Sequence, residues 1–351
     1  MKHGVRLDLQ PVLRNAAYRP ALTELVAHSS GYTFLNDREE MLDDLLDARR
    51  EAAALENSVR RFEYRPGDEE ALIQTLKSLD GKATTFQGGI GLVVASPFFD
   101  DRYTLSATAF TRFAGTFEFV EDDEPKLRLA PVIAFFQLSD LESRARVLGY
   151  GMAEVALHRK MDEIDLPATT VSLSFKYQGL SLYEREVPIQ DYRESEFFEL
   201  SGFTREYRRA NVDIATLTEI DRWQIGLTLR DLFESTYRGP RDSTFHLRTR
   251  GELRVDYRFD WGQASLLQDL TPHPAFGQIK GRRETVLGIS APISSRFVAG
   301  AAYTHIARDR DHDTVSLSLT YHLLDSFNIG VTGTLASERE LGGAFRLQMP
   351  F

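Results

Sequence analysis

From Thr84 to the C-terminus, apolar residues recur at every second position. Val315, Leu317, Leu319, Tyr321 and Leu323 alternate with Ser316, Ser318, Thr320 and His322. Phe345, Leu347, Met349 and Phe351 alternate with Ala344, Arg346 and Gln348. Residues two apart share one face of a strand, so each run predicts a strand with one apolar and one polar face. In the longest run Phe245, Leu247, Leu253, Val255, Tyr257 and Phe259 share a face, and His246, Arg248, Arg250, Glu252, Arg254, Asp256 and Arg258 share the other. At about 3.3 Å per residue that run spans roughly 50 Å, whereas about ten tilted residues cross a bilayer.

Counting back from Phe351 predicts strands near 341–351, 327–336, 313–323, 296–307, 282–293, 261–270, 244–260, 222–234, 201–219, 168–187, 143–160, 126–138, 102–119 and 84–96. The even total of about 14 suits a single-chain bacterial barrel, and the links alternate long and short, as outer-membrane barrels require. The segment at 4–12 reads as an extra strand or part of a plug. Before residue 81 the period changes. Met41, Leu45, Leu46, Leu55, Val59 and Phe62 recur at helical spacing, with Asn36 and Asp37 as N-cap candidates. Pro66-Gly67 ends that helix, and a second follows from Asp68 to Asp80. The expected fold class is all-β: an antiparallel transmembrane β-barrel of about 14 strands with a short helical N-terminal insert. Residues 1–83 form a plug or periplasmic element, packed on the barrel or its rim, and residues 84–351 the barrel. Strand parity puts the helices on the periplasmic side.

Composition changes this picture little. Of 351 residues, 42% are hydrophobic and 27% charged, and the mean hydropathy is -0.30. Lipid-facing and lumen-facing residues alternate in a barrel, so these averages fit one as well as they fit a soluble protein. No apolar stretch reaches eighteen residues, which excludes a helical span. A net charge of -10 argues against a nucleic-acid partner. The chain has no cysteine, which excludes disulfides and thiolate chemistry. Met1-Lys2-His3-Gly4 does not open a signal peptide, so the expectation of outer-membrane localisation carries with it an export segment removed from, or missing in, this sequence.

Candidate chemistry is sparse. Tyr303-Thr304-His305 lies on a strand as an outer-membrane phospholipase histidine does, but position 307 is alanine where a serine nucleophile would stand. Asp309, Asp311, His312 and Asp313 alternate as calcium ligands can, yet Arg308 and Arg310 interleave with them, and a solvated loop is the simpler reading. Glu118, Glu121, Asp122, Asp123 and Glu124 read as a polar turn. No catalytic residue, cofactor, cofactor-binding residue or metal ligand is assigned. The charged face of His246, Arg248, Arg250, Glu252, Arg254, Asp256 and Arg258 is the candidate lumen lining, first as a structural lattice of opposite charges and second as a selectivity surface. Phe351 is the candidate barrel-assembly signal and implies the assembly machinery and outer-membrane lipid as partners. Gly88-Gly89, Gly149/Gly151 and Gly342-Gly343 mark places where a strand can kink.

Several segments carry a family resemblance: Val171-Ser-Leu-Ser-Phe-Lys-Tyr-Gln178, Asn211-Val-Asp-Ile-Ala215, Trp223 to Leu232, and Leu266 to Gly277. Through them the chain resembles the TraF-type conjugal-transfer proteins, barrels related to the FadL-like transporters of hydrophobic compounds. Arg19-Pro20-Ala21 stands where the FadL-like plug has Asn-Pro-Ala. The resemblance implies a non-enzymatic barrel that binds or passes a small hydrophobic compound. It alternatively implies a structural envelope component of a conjugation or secretion system, with envelope-complex proteins as partners. An outer-membrane enzyme is the third reading.

Overall fold

The computed structural model describes residues 26–36, 40–95, 103–130, 137, 140–161, 169–189, 203–241, 243–277, 279, 281–307, 313–324, 327–336 and 340–350. Alternation builds what it predicts over most of this length. Among the described residues, fourteen antiparallel strands form one closed barrel: β1 (Val26–Asn36), β2 (Ala83–Ala95), β3 (Tyr103–Glu118), β4 (Arg144–Met161), β5 (Thr169–Pro188), β6 (Thr204–Ile220), β7 (Trp223–Arg230), β10 (Arg250–Phe259), β11 (Gly262–Asp269), β12 (Arg283–Pro292), β13 (Phe297–Ala307), β14 (Thr314–Leu324), β15 (Phe327–Ala336) and β16 (Glu340–Pro350). β8 (Ser235–Arg238) and β9 (Thr244–Leu247) form a separate two-stranded hairpin. β1 closes the ring by pairing with β16 on one side and β2 on the other.

The agreement in number hides two compensating differences. The described part of the expected strand at 126–138 is helical, from Asp123 to Leu129, and β3 pairs directly with β4; 131–136 and 138 lie outside the described residues. Pro125 falls in the first turn of that helix, where a missing N–H costs nothing, and Lys126 and Arg128 complement its C-terminal end. In exchange, 26–36 is a barrel strand. The division expected at residue 83 falls at the start of β2, but the barrel extends to its N-terminal side, because the helices lie between the barrel strands β1 and β2. The segment 4–12, Arg19-Pro20-Ala21 and Phe351 lie outside the described residues.

Helices α1 (Met41–Arg60) and α2 (Asp68–Leu79) connect β1 to β2, and α3 is the Asp123–Leu129 helix. α1 starts after Glu40, which holds a left-handed conformation, rather than at the expected caps Asn36 and Asp37. With 126–138 removed from the count and 26–36 added, the helices leave the expected periplasmic end. They share the end of the long β3–β4, β5–β6, β7–β10 and β11–β12 links, opposite the turns Asp221-Arg222 and Asp260-Trp261.

Why they settle there is visible on β3, β4 and β5, with 16, 18 and 20 residues against eight in β7 and β11. The outward face of these long strands is bare in one stretch and covered in another. Leu105, Val155, Phe175 and Tyr177 are exposed, while further along the same faces Phe113, Phe117, Val147, Tyr183 and Val187 are buried. Leu45, Leu55, Leu72, Ile73 and Leu76 of the helices, and Leu127 of α3, cover them. The helices form a collar on the outer wall of a lopsided barrel.

The glycine pairs do not break the sheet. The ladders run in unbroken register through Gly88-Gly89, Gly149, Gly151 and Gly342-Gly343. At Gly149 the Phe113 ring lies where a side chain would stand, 2.0 Å from an added Cβ.

Candidate functional site: the barrel interior

On β5 the inward positions change character along the strand. Ser172, Ser174, Lys176 and Gln178 are followed by Leu180, Leu182 and Glu184, all buried. Three interior zones follow from that order.

The first is a charge network. Lys176 Nζ lies 2.7 Å from Asp231 Oδ1, 2.8 Å from Asp213 Oδ1 and 3.6 Å from Glu154 Oε2. Gln178 Nε2 donates to Asp231 at 2.9 Å, and Arg250 pairs with the other Asp231 oxygen at 3.1 Å. Asp231 has φ 57°, a conformation aspartate tolerates better than most residues; its N–H donates to Asp213 at 2.7 Å. Nearby, His158 bridges Ser106 (2.7 Å) and Ser174 (2.6 Å).

The second zone is a plug of two links folded into the mouth. Phe245 and Leu247 of β9, with Phe276 and Ile279 of the β11–β12 link, pack on Leu148, Tyr150, Met152, Leu180 and Leu182 of the inner wall. Phe245 meets Tyr150 at 5.0 Å and Phe276 at 6.1 Å. The buried Glu184 latches the hairpin, accepting bonds from Ser243 Oγ at 2.7 Å and Arg241 N–H at 3.1 Å while pairing with Arg146 at 2.6 Å.

Between network and plug lies the third zone, a cavity of about 110 Å³. Phe110 and Tyr150 form an aromatic wall, in edge contact at 6.0 Å. Arg112, Arg230, Arg250, Arg282, Glu154, Glu252, Asp269, His273 and Glu284 supply the charged and imidazole groups of its lining. Arg230 also faces a smaller cavity beneath, lined by His158, Ser174 and Thr228.

The expected lumen residues distribute unevenly. Arg250 and Glu252 line the cavity. Arg254 pairs with the buried Asp256 at 2.5 Å, and Arg258 is exposed. His246 is not on the barrel wall; it sits on β9, 3.0 Å from Thr236 Oγ1, and Arg248 is an exposed residue of the β9–β10 link. The 244–260 run is therefore two strands, because the chain turns at Arg248-Thr249 and sends Phe245 and Leu247 inward. Of the acidic groups, Asp313 accepts from Tyr303, His305 and Ile306 N–H; Arg308 to His312 lie outside the described residues. The cluster at 118–124 is more than a polar turn, since Asp123 is fully buried and accepts from Glu142 N–H and from Ser143 N–H and Oγ.

Lys176, Gln178, Asn211, Asp213 and Asp231 were not singled out from the sequence. Each stands inside a segment that carries the family resemblance, and the readable signal was a lysine and an aspartate at inward, polar-phase positions of long strands. The family model described as "F plasmid transfer operon, TraF, protein" matches residues 15–269. The chain belongs to this TraF family. No curated protein sequence is significantly similar to this TraF-family chain. Among solved structures, a deltaS2S3 mutant of the monoaromatic hydrocarbon channel TodX superposes with TM-score 0.50 at 10% identity, covering 97% of this chain and 92% of that one. The Pseudomonas putida (P. putida) toluene transporter TodX gives TM-score 0.45 at 8% identity over 95% of this chain and 91% of its own. A Rh. blastica porin mutant gives 0.36 at 9% identity over 94% and 99%. The TodX mutant shares the barrel fold.

Proposed function

We propose that this TraF-family chain is a non-enzymatic outer-membrane channel that binds or passes a small molecule through its lumen. The observation that carries the reading is the pairing of an apolar outer belt with a charged inner cavity. Leu287, Ile289, Leu317, Leu319, Val331 and Leu335 are exposed on the outer wall, while the cavity is lined by arginines, carboxylates and an imidazole. A soluble barrel would turn those leucines inward or cover them. Aromatic residues gather at the short-turn end: Trp223 contacts Tyr257 at 4.6 Å, Phe259 stacks on Trp261 at 5.0 Å, and Phe297 meets Tyr321 at 4.8 Å. Aromatic girdles of this kind mark a bilayer interface.

The lining favours a polar or charged solute over a hydrocarbon, since Phe110 and Tyr150 are the only large apolar side chains against the cavity among the described residues. The test is solute uptake by vesicles containing the refolded barrel. Small polar solutes should enter faster than into empty vesicles, and an Arg230→Gln variant should change the preference between anions and cations. Vesicles no more permeable than empty ones, together with no thermal stabilisation by any solute tried, would sink the channel reading. A second reading, an envelope-complex component, is favoured by the collar, whose α1–α2 turn leaves Phe62 86% exposed.

A further inference from the structure

At the rim of the cavity, two carboxylates and one imidazole from β11, the following link and β12 converge. Asp269 ends β11, His273 lies in the link that follows, and Glu284 begins β12. One ligand atom from each falls within 4.8 Å of the other two. Both carboxylates are 6% exposed, and all three side chains border the cavity. We infer that Asp269, His273 and Glu284 hold a divalent transition-metal ion that clips the β11–β12 link to the barrel wall and leaves coordination positions open to the cavity.

The geometry is close to what such an ion needs. His273 Nε2 and Asp269 Oδ2 are 2.9 Å apart. Zinc bonds of about 2.0–2.1 Å set at tetrahedral angles put neighbouring ligand atoms about 3.3 Å apart, so this edge of the polyhedron is nearly formed. The three ligand atoms lie within 4.8 Å of one another, so the Glu284 carboxylate must move closer to complete the polyhedron. The frame around the ligands is already fixed: Glu284 N–H donates to Asp269 Oδ2 at 2.9 Å, and His273 N–H donates to Arg282 C=O at 2.9 Å. Gly281 allows that close approach, since a Cβ there would stand 2.5 Å from the His273 oxygen. A set of one imidazole and two carboxylates suits zinc or manganese rather than calcium, which takes six to eight oxygens. Arg282, 2.8 Å from Glu284, competes with the ion for that carboxylate. It has an alternative partner in place, because its Nη2 donates to Gln87 Oε1 at 2.8 Å.

The inference is independent of the channel reading, and a separate experiment tests it. The full chain, folded in detergent and stripped with a chelator, is titrated with zinc chloride by calorimetry. One site per chain is expected, weakened about tenfold or more by His273→Gln and by Glu284→Gln, and kept or tightened by Arg282→Gln. Absence of zinc binding, or a His273→Gln variant that binds like the parent, overturns it. Should the variants fail to fold, cobalt added to the unaltered chain decides: visible absorption bands of a four- or five-coordinate nitrogen–oxygen site support the assignment, and their absence rejects it.

Discussion

Lys176 shows how single residues set the interior. Its side chain is 1% exposed and lies within 3.6 Å of three carboxylates. Removing one partner of a buried ion network leaves uncompensated charge, at a cost of about 3–5 kcal/mol. Lys176→Met should therefore lower the temperature at which the folded barrel is lost on unboiled gels, whereas Lys176→Met with Asp213→Asn should recover part of that loss. Outside the barrel wall, Tyr64 donates to Glu69 in the α1–α2 turn, and this bond holds the Glu69 carboxyl below its ordinary value of 4.5. A depressed carboxyl contributes stability that is present above that ordinary value and is lost as pH falls through the folded-state value. The collar should loosen on acidification below about pH 4.5, and Tyr64→Phe should flatten that dependence, as followed by helical circular dichroism against pH. At this scale the sequence was partly legible. Alternation puts Arg250 and Glu252 on the polar phase of one strand, and both border the cavity. It did not single out Lys176 or Asp231, whose meaning comes from three different strands meeting in space, nor Asp269, His273 and Glu284, which a fold-back of the link brings together.

Elements were read best where alternation is strict and longest where it misleads. The run from Phe245 to Asp260 keeps its polar phase throughout, but Thr249 and Gly251 interrupt the apolar phase, and the chain passes from β9 to β10 at that point. Phe245 and Leu247 are buried inside the mouth against Leu148, Tyr150 and Phe276. The strand at 26–36 went unread because His28-Ser29-Ser30-Gly31 interrupts the apolar phase, and its place is set by two neighbours rather than by its own pattern. The collar depends on Phe113, which sits over Gly149 and meets Tyr183 edge-on at 5.7 Å. Phe113→Ala should cost about 3–5 kcal/mol. Gly149→Val should displace the same ring, and the two changes combined should cost less than their sum. Protease cleavage of the α1–α2 region, with the barrel left intact, is the readout.

For the whole molecule, the membrane reading rests on the outer belt and the aromatic end, and the two tryptophans of the chain, Trp223 and Trp261, both stand at that end. Brominated lipids with bromine near the headgroup should quench their fluorescence more than lipids brominated at the chain terminus. Equal or absent quenching would contradict a bilayer interface at the Asp221 and Asp260 turns. Global architecture was legible as class; the strand number agreed only because the unread strand at 26–36 offset the misassigned one at 126–138, and the sidedness of the helices was lost, since one misassigned strand inverts every link that precedes it.

The seam of the barrel has a consequence for how it is made. The first and last strands, β1 and β16, are neighbours, and the helical collar hangs between β1 and β2 at the end away from the final residue of β16. A packed pair of helices cannot pass through a lumen already occupied by the plug and the Lys176 network. On the proposed outer-membrane reading, with the short turns facing the side of synthesis, the order of events is constrained in time: the collar must cross to its side, unfolded or through an unsealed sheet, before the seam zips. A disulfide that prematurely joined β1 to β16 would be expected to strand the collar on the side of synthesis, whereas the same bond made afterwards would be silent.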